Sequence, residues 1–207
     1  MICQRRRVAA LPEWFVVTRD LEAALRLVIE SLDGLKLRYA LVGGLAVSTW
    51  AWPRSTRDVD LWAALPDERL PELEHALMAD GFEVPAMVDE LRQFGVFRSR
   101  HRESGVFVDI FDATGPLGEA LLDRRLSGQL GQTRVWLSSP EDLAVLKAFS
   151  DRDRDFDDLV LLLSVVDLDR DYVLEWARRL DQSIGTEEVV ARVRSAISKA
   201  GLQFDRT

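Results

Sequence analysis

The sequence predicts a mixed α+β fold, in which a small β-sheet flanked by helices is followed by a C-terminal helical segment. Two observations predict it. Short apolar or alternating runs bounded by turn residues recur through the first two-thirds of the chain, and they have the length and pattern of strands. From residue 139 onward the apolar residues have helical spacing instead. We therefore divide the 207 residues into a strand-containing core, 1–138, and a helical region, 139–207.

The elements of the core are predicted in the following order. DLEAALRLVIESLDG has apolar residues at helical spacing, with Asp20 as a candidate N-cap and Gly34 as the stop. RYALV is then a short buried strand, and the turn at Gly43 and Gly44 leads into the helix LAVSTWAW. DVDLWA is the second strand, and PDERLPELEHALMADG is a helix. FGVFRSRH and GVFVDIFDA form a hairpin through RESG, and TRVWLSS is a further strand.

The C-terminal region reads as helical throughout. SPEDLAVLKAF begins with Ser139 before Pro140, which is a favourable helix start. The runs that follow it are DFDDLVLLLSVV, RDYVLEWARRL and TEEVVARVRSAISKA, all with helical spacing.

Composition excludes some classes of function and location. The net charge of −8 makes sequence-independent binding to duplex nucleic acid a poor expectation, because phosphate neutralisation supplies most of its affinity. The lone cysteine, Cys3, has no partner for an internal disulfide, and Pro12 and Glu13 interrupt the N-terminal apolar patch that faintly resembles a signal peptide. No apolar run approaches the ~20 residues that span a bilayer. We expect a cytoplasmic protein with no membrane partner.

Three aspartates in predicted strands indicate a metal site. Asp58 and Asp60 are one residue apart, so in a strand they point the same way, and adjacent carboxylates need a cation between them. Mg²⁺ takes one or two carboxylates together with phosphate oxygens. Asp109 lies in VFVDIF, where a charge is rarely buried unless it is paired or metal-bound. If the two strands are neighbours, the three carboxylates hold two metal ions that clamp a phosphoryl displacement; taken alone, Asp109 also fits a core aspartate satisfied by an arginine.

The double glycine adds a candidate phosphate site. A strand-to-helix turn without side chains at Gly43 and Gly44 lets backbone N–H groups approach a phosphate, and the helix N-terminus favours negative charge. Either glycine alone is more often an ordinary turn residue. Together with the aspartates, the turn predicts a site for a nucleoside triphosphate.

The combination of Gly43-Gly44, Asp58-Val59-Asp60 and Asp109 resembles the nucleotidyltransferase superfamily typified by DNA polymerase beta. It is most similar to the AbiEii-like nucleotidyltransferase toxins of bacterial toxin–antitoxin systems. The resemblance covers about residues 37 to 165. It implies a nucleotidyltransferase fold, Mg²⁺ or Mn²⁺ as cofactor, an NTP such as ATP as substrate, and a cognate antitoxin as partner.

The resemblance also extends to residues outside the aspartates. The approach RSTRDVD, with Thr56 and Arg57, is shared with aminoglycoside and lincosamide nucleotidyltransferases. Many members have Gly-Ser where this chain has Gly-Gly, and Thr56 and Ser48 are the candidates to replace the missing serine. A lysine followed by Arg…Asp-x-x-Asp implies further catalytic and nucleotide-binding roles for Lys147, Arg152, Asp155 and Asp158. Read without the resemblance, Lys147 is a helix-surface lysine and the two aspartates are acids at a favourable helix start.

The acceptor of the nucleotide stays open at this stage. The candidates are a tRNA 3′ end, a small-molecule hydroxyl and a hydroxyl on a partner protein, and a non-catalytic binding module such as an antitoxin is the alternative to an enzyme. Arg98, Arg100 and Arg102 alternate in FRSRHR and therefore line one strand face. That face is either solvated or a phosphate-binding stripe for an RNA end or a nucleotide. We favour an enzyme that acts on an RNA end.

Overall fold

The computed structural model describes residues 18–52 and 54–202, so the predictions about Cys3 and the N-terminal stretch lie outside the described residues. Along the chain its helices and strands are α1 (Arg19–Gly34), β1 (Tyr39–Leu41), α2 (Gly43–Trp50), β2 (Asp58–Ala63), α3 (Leu70–Ala79), β3 (Phe82–Glu83), α4 (Met87–Phe94), β4 (Val96–His101), β5 (Phe107–Asp112), α5 (Pro116–Arg124), β6 (Leu126–Leu130), β7 (Thr133–Leu137), α6 (Pro140–Phe149), α7 (Asp153–Val165), α8 (Arg170–Ile184) and α9 (Glu188–Lys199).

The strands form one mixed sheet. Within the described residues it has seven strands in the order β3-β4-β5-β2-β1-β7-β6. β2 is antiparallel to β1 and parallel to β5, β1 is parallel to β7, and β4 and β5 form the predicted antiparallel hairpin. The predicted fold class, a mixed sheet flanked by helices and followed by a helical segment, is confirmed.

In β2, one face of the strand is buried and the other carries the polar residues. In β2 the side chains of Val59, Leu61 and Ala63 are buried, and those between them are half-buried. The buried set joins a core cluster with Leu25 and Val28 of α1. The alternate apolar side chains of β2 thus pack in one cluster with the helically spaced apolar side chains of α1. Their burial stabilises the contact between the strand and the helix.

The chain divides into two compact units, and each has its own core. The first comprises residues 18–49 and 54–138 and contains the whole sheet; the second comprises residues 50–52 and 139–202. In the second unit, α6 packs against α7, α8 and α9. None of the described helices has the length and apolarity needed to cross a membrane.

Three local expectations differ from the structure. The N-cap of α1 is Thr18, whose hydroxyl accepts from the Leu21 amide, and Asp20 lies in the first turn instead. The helix predicted from Pro66 begins as a 3₁₀ turn at Asp67, and the α-helix starts only at Leu70. The segments that form α4, α5, β3 and β6 had no predicted element.

Candidate functional site

The three predicted aspartates lie on one face of the sheet. In the parallel pair β2–β5, Asp60 is directly opposite Asp109, and Asp58 is opposite Phe107. Since aligned residues of neighbouring strands project to the same side, and i and i+2 do so along one strand, the three carboxylates share the face opposite Val59. The two strands are neighbours, as the metal-site hypothesis requires.

An arginine from β4, the strand on the other side of β5, pairs with Asp109. Arg98 of β4 is opposite Asp109 in the hairpin, and its Nε and Nη2 donate to Oδ1 and Oδ2 at 2.7 and 2.6 Å. This bidentate pair leaves Asp109 only 8% exposed, whereas 59% of the Arg98 side chain is exposed. A core aspartate satisfied by an arginine was the alternative that the sequence left open, and this pair has that form.

The Arg98 guanidinium lies in the field of all three carboxylates. Its hydrogen bonds to Asp109 raise the pKa of Arg98 against the opposing effect of burial, and the charges of Asp109, Asp58 and Asp60 raise it further. The Arg98 guanidinium thus forms hydrogen bonds with one carboxylate and is attracted by the charges of the other two. Both Asp109 oxygens are held by Arg98. In the described parts of the chain, no three acidic, histidine or cysteine side chains converge as a metal-holding group.

Gly43 makes room for Asp60. A Cβ added at Gly43 would lie 1.9 Å from Oδ2 of Asp60, and Gly43 also has φ +62°, which is the left-handed region. Any other residue would therefore collide with the carboxylate and strain the backbone. The close approach of the Asp60 carboxylate to the start of α2 explains why residue 43 is a glycine.

Gly44 faces a different pair of side chains. A Cβ there would lie 2.9 Å from an Nη of Arg54 and 2.9 Å from the Thr56 hydroxyl. The Thr56 hydroxyl in turn donates to Oδ1 of Asp58 at 2.8 Å. The start of α2, where backbone N–H groups lack helical partners, is thus bordered by a guanidinium suitable for a phosphate oxygen and by a hydroxyl whose proton is donated to Asp58.

Ser48, the other candidate to replace the missing serine, has a local role in the structure. Its hydroxyl donates to the carbonyl of Gly44 at 2.9 Å and accepts from the Arg54 amide at 3.2 Å, and the residue is buried. It therefore ties the loop after α2 to the helix. Of the two candidates, Thr56 is the one placed against Gly44, and nucleotide binding by Ser48 stays a prediction.

The second unit holds the other predicted residues in a buried ionic cluster. Lys147 of α6 is 7% exposed, and its Nζ donates to Asp155 and lies 3.0 Å from Oδ2 of Asp158. Burial alone would raise the pKa of Asp155, but the hydrogen bonds from Lys147 and Ser150 lower it overall. Lys147 is therefore a buried lysine with two carboxylate partners and not a helix-surface lysine. Arg152 is the N-cap residue of α7, and its carbonyl accepts from Arg192 at 2.7 Å.

Comparison with solved structures identifies the fold. The structure of a lincosamide antibiotic adenylyltransferase, LnuA, with lincomycin bound matches 72% of this chain and 99% of its own at a TM-score of 0.51 and 16% identity. The chain has the nucleotidyltransferase fold. The antibiotic-resistance factor ANT(2'')-Ia matches 89% of this chain and 95% of its own at 0.49 and 18% identity. A nucleotidyltransferase-like antigen from Paracoccidioides brasiliensis matches 86% and 91% at 0.49 and 20%. Neither a protein-family model nor a curated protein matches the sequence.

Within the nucleotidyltransferase fold, one residue at the turn was missed by the sequence analysis. The predicted basic residue was Arg57, which is exposed, whereas Arg54 is the one against Gly44. Burial alternates from residue 54 to residue 58, so Arg54 and Thr56 share the inward side with Asp58. Extending the period of two backwards from the aspartates would have favoured Arg54. Nucleotide binding by Arg57 stays a prediction, as do the roles of Lys147, Arg152, Asp155 and Asp158.

Proposed function

We propose that this protein is a metal-dependent nucleotidyltransferase, which transfers a nucleoside monophosphate from an NTP to an acceptor hydroxyl and releases pyrophosphate. The observation that carries the proposal is the arrangement on the sheet. Asp60 is aligned with Asp109 on parallel neighbouring strands, Asp58 is two residues away on the same face, and the Gly43-Gly44 turn is in contact with Asp60. The nucleotidyltransferase fold is consistent with this activity, and the polar residues supply the chemistry.

The carboxylates are suitable ligands for a divalent cation. Asp58, Asp60 and Asp109 offer oxygen donors only, which is the set that Mg²⁺ and Mn²⁺ prefer. Asp58 and Asp60 would hold the ion, and Asp109 would join them when Arg98, which is largely solvent-exposed, turns away. Bound there, the ion would neutralise triphosphate charge and lower the pKa of the acceptor hydroxyl.

The chain's own residues account for the remaining needs of the reaction. The N–H groups at the start of α2 and the Arg54 guanidinium would bind triphosphate oxygens, and the Thr56 hydroxyl would join them once it turns from Asp58. The acceptor oxygen forms a bond to the α-phosphorus, the bond from that phosphorus to the bridging oxygen breaks, and pyrophosphate leaves with the electron pair. The hydroxyl proton passes to a carboxylate, for which we propose Asp109.

For the acceptor we propose an RNA end, that of tRNA, in a toxin–antitoxin setting with ATP as one candidate donor and a cognate antitoxin as partner. The basic side chains of Arg98 and Arg100 on the strand beside Asp109 support this choice, because they supply local positive charge in a chain of net charge −8. The LnuA structure contains lincomycin, so a small-molecule acceptor is the other outcome that the experiment has to detect.

The test is a labelling experiment with matched variants. The protein is incubated with each α-labelled NTP, Mg²⁺, and either total RNA or a panel of aminoglycosides and lincosamides. We expect label on tRNA-sized RNA and a loss of at least about 100-fold in Asp58→Ala, the scale for removing one preorganised electrostatic group. Asp67→Ala removes a carboxylate whose side chain is 79% exposed, and it should label normally.

Each outcome bears on a defined part of the proposal. Label on a small molecule or on a co-purifying protein, with none on RNA, would keep the transfer chemistry and reject the RNA acceptor. Unchanged labelling in Asp58→Ala would reject the site.

A further inference from the structure

An exposed basic and aromatic patch continues the open face of the sheet beyond the carboxylates. In the hairpin, Arg98 is opposite Asp109 and Arg100 is opposite Phe107, and β5 is in register with β2. Two rows therefore cross the three strands: Arg100, Phe107 and Asp58 form one row, and Arg98, Asp109 and Asp60 form the next. We call Arg98, Arg100 and Phe107 the β4–β5 patch.

The patch consists of an aromatic ring with two guanidinium groups near it. Cζ of Arg98 is 5.3 Å from the centroid of the Phe107 ring, and Cζ of Arg100 is 6.0 Å from it. Phe107 is 42% exposed, although its neighbour Val108 is fully buried on the other face. The ring thus lies on the outer face beside the acidic cluster, where core packing does not require an aromatic residue.

The position of the patch relative to the phosphate-binding turn is set by the strand order. β1, which leads into Gly43 and Gly44, is next to β2 on one side, and β5 and then β4 follow β2 on the other. The carboxylates of β2 and β5 lie between the turn and the patch. A triphosphate bound at the turn therefore leaves the patch open for the second substrate.

We propose that the β4–β5 patch binds the single-stranded end of a nucleic acid, which places the acceptor hydroxyl at the carboxylates. This inference deepens the proposed function and rests on it. A terminal base stacks on Phe107 in place of a guanidinium, and the adjoining phosphates bind Arg100 and Arg98, the latter in exchange for Asp109. Aromatic rings with neighbouring arginines bind single strands in this way, because unpaired bases expose their faces. A duplex does not expose them, and the net charge of −8 opposes the wider phosphate contact that a duplex needs.

The test measures binding without chemistry. Fluorescent 12-nucleotide RNA and DNA single strands and the corresponding duplexes are titrated with protein in EDTA, and anisotropy is recorded. We expect single strands to bind more tightly than duplexes. Phe107→Leu, which keeps an apolar side chain, and Arg100→Gln should each weaken single-strand binding by about tenfold, the scale for losing one stacked base or one phosphate contact. Phe107→Tyr should restore binding, because it restores the aromatic ring.

Arg26→Gln is the matched control. Arg26 lies on α1, which packs on the opposite face of the sheet, and its side chain is 52% exposed and pairs with Glu30. Arg26→Gln removes one positive charge, as Arg100→Gln does, and it should leave the affinity for single strands unchanged. Circular dichroism checks that every variant is folded. Equal affinity in wild type, Phe107→Leu and Arg100→Gln would overturn the inference, and so would equal losses in Arg26→Gln and Arg100→Gln.

The result is separable from that of the proposed function. Patch-dependent binding of single strands with no label transfer from any NTP would support the patch and reject nucleotidyl transfer. Transfer to a small molecule that is unaffected by Phe107→Leu, with no single-strand binding, would reject the patch and keep the enzyme. Tighter binding of RNA than of DNA single strands of equal length would identify RNA as the nucleic acid whose end the patch binds.

Discussion

Arg98 holds the one carboxylate, that of Asp109, that the proposed metal site shares with the neighbouring strand. Its guanidinium holds both oxygens of Asp109, and the nearby charges of Asp58 and Asp60 add to its attraction. Arg98→Gln should therefore free Asp109 and tighten Mn²⁺ binding. We expect a gain of up to about fivefold, because the arginine side chain is 59% exposed and water screens the pair. Calorimetry with Mn²⁺ on the nucleotide-free protein measures it.

The same titration needs a control for total charge. Arg26→Gln changes the net charge equally, and its affinity for Mn²⁺ should match that of the wild type. If Arg98→Gln binds Mn²⁺ no more tightly than Arg26→Gln does, Arg98 does not compete with the ion, and the proposed role of Asp109 as a ligand loses its support.

The two glycines of the turn differ in what a methyl group would meet. In Gly43→Ala the new Cβ would collide with Asp60 and the residue would keep φ +62°, so we expect a loss of about 2–3 kcal/mol in the free energy of unfolding. In Gly44→Ala the nearest atoms are the ends of the Arg54 and Thr56 side chains, which can move. That variant should keep its stability within about 1 kcal/mol but bind NTP less tightly. Urea unfolding and NTP titration separate the two effects, and equal stability losses would contradict the assignment.

At the scale of elements, α8 caps α9 through Asp181. The carboxylate of Asp181 accepts from the amides of Val189 and Val190 at 3.0 Å each, and from the Thr186 hydroxyl at 2.8 Å. Burial would raise the pKa of Asp181, but these hydrogen bonds lower it overall. The stabilisation is therefore present above the unfolded-state pKa of about 4 and is lost as the pH falls through the lower folded-state value.

Asp181→Asn tests this cap. We expect a loss of about 1–2 kcal/mol at pH 7, because a charged acceptor of two amides is replaced by a neutral one. The difference from the wild type should shrink as the pH falls below about 4, because Asp181 is then protonated in the unfolded chain and, at the lower folded-state pKa, in the cap as well. Urea unfolding between pH 3 and 7 measures it. A difference that stays constant over this range would show that the charge of Asp181 does not contribute.

The elements that the sequence predicted well are those with a strong period or a clear terminus. β2 alternates without interruption, and α6 has Ser139 as its N-cap, whose hydroxyl accepts from the Asp142 amide at 3.1 Å. The segments of α4 and β6 were not assigned. α4 has apolar residues at helical spacing, but it is only eight residues long and no side chain caps its start. β6, LSGQL, alternates, but Gly128 occupies the middle of its inward row and leaves only two apolar side chains to indicate a strand.

The candidate site was predictable only where the alternation of side chains along one strand determines which residues share a face. The shared face of Asp58 and Asp60 follows from their spacing alone, whereas their alignment with Asp109 depends on which strands pair, and register is a tertiary property. The contact of Arg98 with Asp109 depends on the same register. For Lys147, burial between two acids on the next helix was beyond what local spacing shows.

For the whole molecule, the net charge of −8 opposes the binding of a nucleic acid, whereas the basic β4–β5 patch favours it. At 0.15 M salt the Debye length is about 8 Å, so distant acidic residues are screened and the local arginines determine the contact. If Arg98 and Arg100 bind the phosphates, a plot of log affinity for a single strand against log salt should have a slope of about −1.4, since each neutralised phosphate contributes about −0.7. Anisotropy titrations between 0.1 and 0.3 M salt measure it.

The slope should fall to about −0.7 in Arg100→Gln and stay unchanged in Arg26→Gln. A wild-type slope steeper than about −4 would mean that phosphates contact many residues outside the patch, and a slope that Arg100→Gln leaves unaltered would remove Arg100 from the contact.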